Sequence, residues 1–413
     1  MPSRQLKAGI PVSLSGQFQV QGRQALAGLQ AWARDVNASG GVWVRGLGER
    51  LTVTVRHYDD GSRSDLARRA TQRLISEDKV DLLFGPYSSV LTRAAAEVAS
   101  GNDCLLWNQG GASDAIHRKG NRWVVGILSP ASEYLAGLPP LVRQSDPTAC
   151  RQAIIRAATG AFPQAVSDGM EKQALAMDFE LVIKREFDPA ITDFAHILDA
   201  VEQARPDLLL GVGRIQNDLL LAKQIAQRGC SFGAVAVVAA PIQQFKTHLS
   251  AATEGFLGPS QWEFTARQPV PVPVEDGSPD YGPTSEQVLA SLGASGAEVD
   301  YPLVQAYAAG LVAQRCVEEA GGLEQRALRE AAVSLDFSTF YGRFRIDPST
   351  GRQIGRSPLI VQWQQGRKVV VWPPGQSQAS LIYPWAGLGP GPAGPGPATM
   401  SPVRRRRLGE SPL

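Results

Sequence analysis

The chain has 413 residues, more than one hydrophobic core usually supports, so two packed domains and a tail are expected. With 43% hydrophobic and 19% charged residues it has the composition of a globular protein, and a net charge of +2 excludes the strong field that recruits nucleic acid or an anionic membrane surface. No run of about 18 apolar residues occurs, so no membrane-spanning helix is expected.

In chain order, residues 6–14 read as a first strand and 23–37 as its helix, with Leu26, Leu29, Trp32, Ala33 and Val36 at helical spacing. The stretch Asn37-Ala-Ser-Gly-Gly stops that helix. Residues 51–58 alternate as a strand, 66–75 return as a helix, and 80–84 form a short apolar strand. A helix at 90–99, a strand at 104–107 and a last strand at 122–127 complete the set. A second set follows: strand 153–157, helix 164–176, strand 180–184, helix 194–204, strand 207–212, helix 217–227 and strand 234–238. Strands alternating with amphipathic helices are the βαβ signature of a parallel sheet, and two sets predict an α/β protein of two lobes.

The rhythm then breaks. Residues 268–283 are rich in Pro, Gly and Asp and read as a loop, followed by helices at 285–292, 302–320 and 324–334 that are assigned to the first lobe. Residues 340–372 read as a β meander with turns at Asp347-Pro-Ser-Thr-Gly and Gln365-Gly. Beyond Pro384 a Gly/Pro-rich stretch with Arg404-Arg-Arg-Arg reads as a disordered tail. The first residues run straight into the first strand without a basic-then-apolar leader, so no export signal is expected as written.

Cys104, Cys150, Cys230 and Cys316 form no CxxC pair and are expected as ordinary buried thiols. No two of the four histidines stand at zinc spacing, and neither a metal nor a cofactor is expected.

In open α/β sheets ligands bind beyond the carboxyl ends of strands. The loops there are Ser13 to Gly22, Gly85-Pro-Tyr-Ser-Ser, and Asn108-Gln-Gly-Gly-Ala-Ser-Asp. Hydroxyls and free N–H groups converging at adjacent strand ends suit a carboxylate or amide oxygen. Ser89 and Ser113 equally fit plain helix N-caps. Enzyme signatures are missing: Gln216 stands where a dinucleotide fingerprint starting at Gly211 needs its last glycine, and no phosphate loop or nucleophile elbow occurs.

The motifs resemble the type I periplasmic solute-binding proteins, in the branched-chain amino acid and amide group. They are Gly9-Ile-Pro-Val-Ser-Leu-Ser-Gly, Gly22-Arg-Gln-Ala-Leu-Ala-Gly, Asp35-Val-Asn-Ala-Ser-Gly-Gly-Val, His57-Tyr-Asp-Asp, Asp81-Leu-Leu-Phe-Gly-Pro-Tyr-Ser-Ser and Gly111-Ala-Ser-Asp. Thr192-Asp-Phe, Arg205-Pro-Asp-Leu-Leu-Leu, Gly255-Phe-Leu-Gly-Pro-Ser-Gln-Trp and Ala306-Tyr-Ala-Ala-Gly extend the match over residues 6–372.

The resemblance implies two Rossmann-like lobes around a cleft, joined by crossovers near 126–130, 256–262 and 335–341. The expected lobes are 1–125 with 258–337, and 126–257 with 338–375, leaving 384–413 as the tail. By position Ser89 and Ser113 hold the ligand's carboxylate or amide, beside Gly111 and Ala112, with Tyr87 as an aromatic wall and Gln21 reaching the cleft. On the second lobe Phe162 supplies an aromatic, and Arg214 stands where relatives carry one, which points to an anionic group on the solute. The disulfide some relatives carry has no cysteines here.

The implied function is the non-enzymatic binding component of an ABC importer for an amino acid, amide or similar small polar solute. Its partner is then a membrane permease and its location periplasmic or extracellular. The alternative is a cytoplasmic sensor of the same fold that regulates a partner protein.

Overall fold

The computed structural model describes residues 4–118, 121–228, 232–264, 266, 280–293 and 299–385. The chain opens with β1 (Gln5–Val12), α1 (Gln19–Ala38), β2 (Val42–Val44), β3 (Glu49–Asp59), α2 (Ser64–Ser76), β4 (Leu82–Phe84), α3 (Ser89–Gly101), β5 (Leu106–Asn108) and β6 (Val124–Gly126). These strands make a six-stranded sheet in the order β2-β3-β1-β4-β5-β6. It is parallel except for β2, which runs antiparallel to β3 with Val42 opposite Leu51.

The chain then crosses to α4 (Leu138–Ser145), β7 (Arg151–Ala157), α5 (Ala161–Leu175), β8 (Glu180–Phe187), α6 (Ala195–Ala204), β9 (Leu208–Val212), α7 (Ile215–Arg228), β10 (Ala234–Val237), α8 (Gln243–Leu249) and β11 (Leu257–Ser260). It returns through α9 (Ser285–Leu292), α10 (Tyr301–Ala320) and α11 (Gln325–Ser334), makes the hairpin β12 (Phe337–Thr339) and β13 (Gly342–Phe344), and ends with β14 (Leu359–Gln364) and β15 (Arg367–Trp372). The second sheet has seven strands in the order β15-β14-β11-β10-β9-β7-β8.

Both sheets carry helices on two faces, which is why their central strands are continuous apolar runs. All of β9 is buried. Alternation sends Leu209 to the core beneath α6 and α7, while Leu208, Leu210 and Val212 face the core shared with α4 and α5. In the first lobe α1 lies directly on α10. A Cβ on Gly28 would stand 2.0 Å from the Leu303 carbonyl oxygen, so only glycine admits that approach.

Several expectations change. β11 hydrogen-bonds between β10 and β14, so the return to the first lobe falls after Ser260 rather than at 258. The meander divides: β12 and β13 form a separate two-stranded sheet whose Phe337, Phe340, Tyr341 and Phe344 pack into the first-lobe core with α9, α10 and α11. Only β14 and β15 extend the second sheet, so its last segment begins near 359 instead of 338. Apolar hairpin residues serve either core equally well by composition, and long-range packing decides between them.

Trp385 is only 2% exposed and packs against Phe232 and Phe256, so folded chain reaches one residue past the expected start of the tail. Cys104 and Cys316 are buried, whereas Cys150 is exposed, which corrects the expectation of a buried thiol there. Burial pushes the Cys104 thiol up to about 12, so it remains protonated. Cys230, the loop through residue 279 and the chain beyond Trp385 with its arginine run lie outside the described residues.

Candidate functional site

The carboxyl ends of β4 and β5 bring two of the expected loops into contact. The Ser88 N–H donates to the Gly110 carbonyl at 3.0 Å, and a Cβ on Gly110 would meet the Pro86 carbonyl oxygen at 2.1 Å. Ser88, at φ +84°, holds a backbone conformation rare for a side-chain-bearing residue, as ligand loops often do. Its hydroxyl caps α3 by accepting the Leu91 N–H. Ser89 is therefore free of that duty, and its Oγ accepts the Ser113 N–H at 3.0 Å. Ser113 caps the short turn at 114–116 through the Ala115 N–H. The N-cap alternative thus holds for Ser113 and fails for Ser89, one position after the residue that caps.

Asn108 fixes the second loop. Its Oδ1 accepts the Gly111 N–H at 2.9 Å and its Nδ2 donates to the Gly111 carbonyl at 2.8 Å. The same amide lies 3.1 Å from His117 Nε2, while His117 Nδ1 faces the Thr350 carbonyl at 3.3 Å. One acceptor and one donor suit the neutral imidazole with its proton on Nδ1. Burial agrees, pushing His117 down to about 4 from 6.5.

The unfolded chain protonates this histidine near 6.5 and the folded one only near 4, so the unfolded state binds more protons in that window. The stabilisation is complete above about 6.5 and is lost as pH falls toward 4. Urea unfolding at pH 7.5 and 4.5 should show wild type losing on the order of 2 kcal/mol more than His117→Gln. Equal pH dependence in the two proteins would contradict this.

Tyr87 leads from these loops into a group of phenols between the lobes. Its hydroxyl lies 2.9 Å from that of Tyr301, in the first turn of α10, and Phe18 meets its ring edge-on at 5.8 Å. Tyr301 packs against the second lobe's core. Across the cleft Tyr134 and Phe162 pack edge to face at 5.6 Å, and the Tyr134 hydroxyl hydrogen-bonds with Gln261. Tyr341 donates to Gln305 Oε1 at 2.5 Å, and Gln305 in turn donates to the Gln109 carbonyl. Burial raises the phenols of Tyr87, Tyr134, Tyr301 and Tyr341 alike, so all four remain neutral hydroxyls.

Below them Arg356 spans the connections between the lobes. Nη1 donates to the Gln261 and Tyr341 carbonyls, each at 2.8 Å, and Nη2 to Gln261 Oε1 at 3.1 Å and to the Ile127 carbonyl at 3.4 Å. The guanidinium lies 3.8 Å from the centre of the Tyr341 ring. Among the described residues no carboxylate pairs with it, and its Nε is buried without a partner. A positive charge is thus held beside the phenols.

An open cavity of about 420 Å³ lies between Ser113 and Asp114 on one side and Ser132, Ala161, Gln164 and Lys172 on the other. Asp114 Oδ1 accepts from Ser132 Oγ at 2.7 Å and Oδ2 from the Ser132 N–H at 3.1 Å, and Asp114 also pairs with Arg352.

Tyr87, Ser89, Gly111, Ala112 and Ser113 therefore stand together, with Phe162 facing Tyr134 on the opposite wall. Gln21 is buried in the first turn of α1, beside Gly22, whose Cβ would meet the Ser13 carbonyl at 2.1 Å. Arg214 is exposed beyond β9. Its backbone N–H donates to Asn217 Oδ1, and among the described residues its guanidinium joins none of the group. Tyr134, Tyr301, Tyr341 and Arg356 are absent from the expected set, which drew on the loops after β1, β4, β5, β7 and β9, whereas Tyr134 follows β6 and Tyr341 follows β12. Gln261 could have been found, since it belongs to the quoted motif at 255–262.

Among the described residues no group of three His, Cys, Asp or Glu side chains is placed to hold a metal ion, and no helix is long and apolar enough to cross a membrane.

Two mainly parallel sheets flanking a cleft lined by strand-end loops define a type I periplasmic binding-protein fold. The chain belongs to the periplasmic binding protein family, whose model matches residues 5–368, and the resemblance to its branched-chain amino acid group holds. A Leu/Ile/Val-binding protein homolog 8 of Brucella abortus is 23% identical over 233 residues, 54% of this chain and 55% of that protein. The match spans about half the length of such curated relatives. The crystal structure of a leucine binding protein LivK from Thermotoga maritima superposes with a TM-score of 0.73 at 18% identity, covering 88% of this chain and 97% of that one. A solute binding protein of an ABC transporter from R. palustris, in complex with benzoate, gives 0.70 at 17% identity over 93% and 99% of the two chains.

Proposed function

We propose that this chain is the substrate-binding component of an ABC importer, and that its solute combines a carboxylate or amide with an apolar or aromatic body. The observation that carries this reading is the pairing of unlike walls. Ser89 and Ser113, linked through the Ser89 hydroxyl, stand at the carboxyl ends of β4 and β5, the Tyr134 and Phe162 rings pack together on the second lobe, and Arg356, without a carboxylate partner among the described residues, stacks on Tyr341. Donors without a carboxylate partner suit an anionic or amide oxygen, and rings suit the rest of the solute. The R. palustris protein, bound to benzoate, and a LivJ from Streptococcus pneumoniae, in complex with isoleucine, support solutes of this kind. Closure of the lobes about the three connections and a membrane permease as partner follow from the same reading.

Thermal unfolding should be measured with leucine, isoleucine, valine, their amides, benzoate and 4-hydroxybenzoate. A solute at a hundredfold excess over its Kd stabilises the protein by about 2.7 kcal/mol, and at least one of these should do so. No rise in Tm with any of them would reject this solute class.

A further inference from the structure

α10 begins where the lobes meet, and its first turn makes two contacts that the solute site does not explain. Asp300, 8% exposed, precedes α10 and belongs to the first lobe, where its Oδ2 accepts from Gln24 of α1 at 3.3 Å. Its Oδ1 reaches across and accepts the N–H of Gln243 at 2.9 Å. Gln243 is the first residue of α8, whose Phe245 and Leu249 lie in the second lobe's core. The residue before it, Ile242, offers α8 no side-chain cap, so the donor is satisfied from the other lobe. Tyr301 follows directly, packs against the same core, and touches the Tyr87 hydroxyl with its own.

We propose that this first turn of α10 is a strap that holds the two lobes together through the Asp300 carboxylate and the Gln243 amide. A carboxylate accepting a main-chain N–H is among the stronger single hydrogen bonds, and here the Asp300 side of it is buried while Gln243 is half-buried. The strap also touches the loop that presents Ser89, through Tyr301 and Tyr87. Displacement of the Tyr87 ring therefore bears on the same turn that joins the lobes. Asp300 is a positioning residue in this scheme, acting on the distance between the walls.

The proposal is tested on the full chain without solute, so its failure is distinct from failure of the solute-binding reading. Asp300→Ala should speed hydrogen exchange of the amides at the start of α8 by about tenfold, the loss of one charge-assisted bond, and should raise the radius of gyration in small-angle scattering. Gln243→Pro removes the donor from the other side. Proline is tolerated at the first position of a helix, and Ile242, at ψ 150°, already has the conformation a following proline requires. Gln243→Ala, which keeps the N–H, is its reference. Gln243→Pro should open the molecule as Asp300→Ala does, and the double variant should open it no further. Unchanged α8 exchange and scattering in Asp300→Ala overturns the strap, as does full additivity of the two substitutions.

Discussion

Arg356→Met is expected to lower the unfolding free energy by about 3 kcal/mol in urea titration, because hydrogen bonds to a charged group contribute about 1.5–3 kcal/mol and the variant loses several at once. The guanidinium satisfies carbonyls at Ile127, Gln261 and Tyr341, which lie on or beside the segments where the chain passes between lobes. Methionine fills much of the volume but leaves those buried acceptors unpaired, each at about 1–3 kcal/mol before water enters. Arg356→Lys should recover little, because an ammonium cannot fork to several carbonyls while stacking on Tyr341. A loss below about 1 kcal/mol for the methionine variant would show that the connections hold without the guanidinium.

Trp32→Ala should be comparably destabilising, by about 3–5 kcal/mol, as for other buried tryptophans. Trp32 is fully buried in α1, its Nε1 donates to Gln314 of α10 at 3.1 Å, and its ring lies 6.1 Å from that of Phe84 on β4. It seats on Gly310, where a Cβ would come within 2.2 Å of the indole. Both helices surround the indole, so the cavity left by alanine cannot collapse without moving one of them. The change should appear as a lower urea midpoint with an unaltered slope. A slope that falls instead would mean that the first lobe no longer unfolds with the rest.

Where local pattern decides structure, the sequence is readable. The spacing of Leu26, Leu29, Trp32, Ala33 and Val36 marks the buried face of α1, and the run Leu208 to Val212 is a central strand because both its faces are covered. The contact between the Ser89 and Ser113 loops is legible for a related reason: β4 and β5 are consecutive parallel neighbours, so the loops after them must adjoin. The rest of the cleft depends on distant partners. Tyr301 meets Tyr87 and Tyr341 meets Gln305 only after the return of α10 has been laid on the first sheet. Short antiparallel β2 and the helices α4 and α8 escaped notice because short elements carry too few periods to stand out. Arg356 stands between Gly355 and Ser357, and nothing nearby in sequence says that three carbonyls await it.

The anchoring of Trp385 has a practical side. Its N–H donates to the Gly233 carbonyl and its indole N–H to the Glu254 carbonyl, just ahead of β10 and β11. That is the amino pole of the second sheet, whereas Ser89, Ser113 and Phe162 follow the carboxyl ends of their strands. A biosensor surface or fluorescent fusion attached after Trp385 therefore leaves from the far pole, and the mouth of the cleft faces bulk solution.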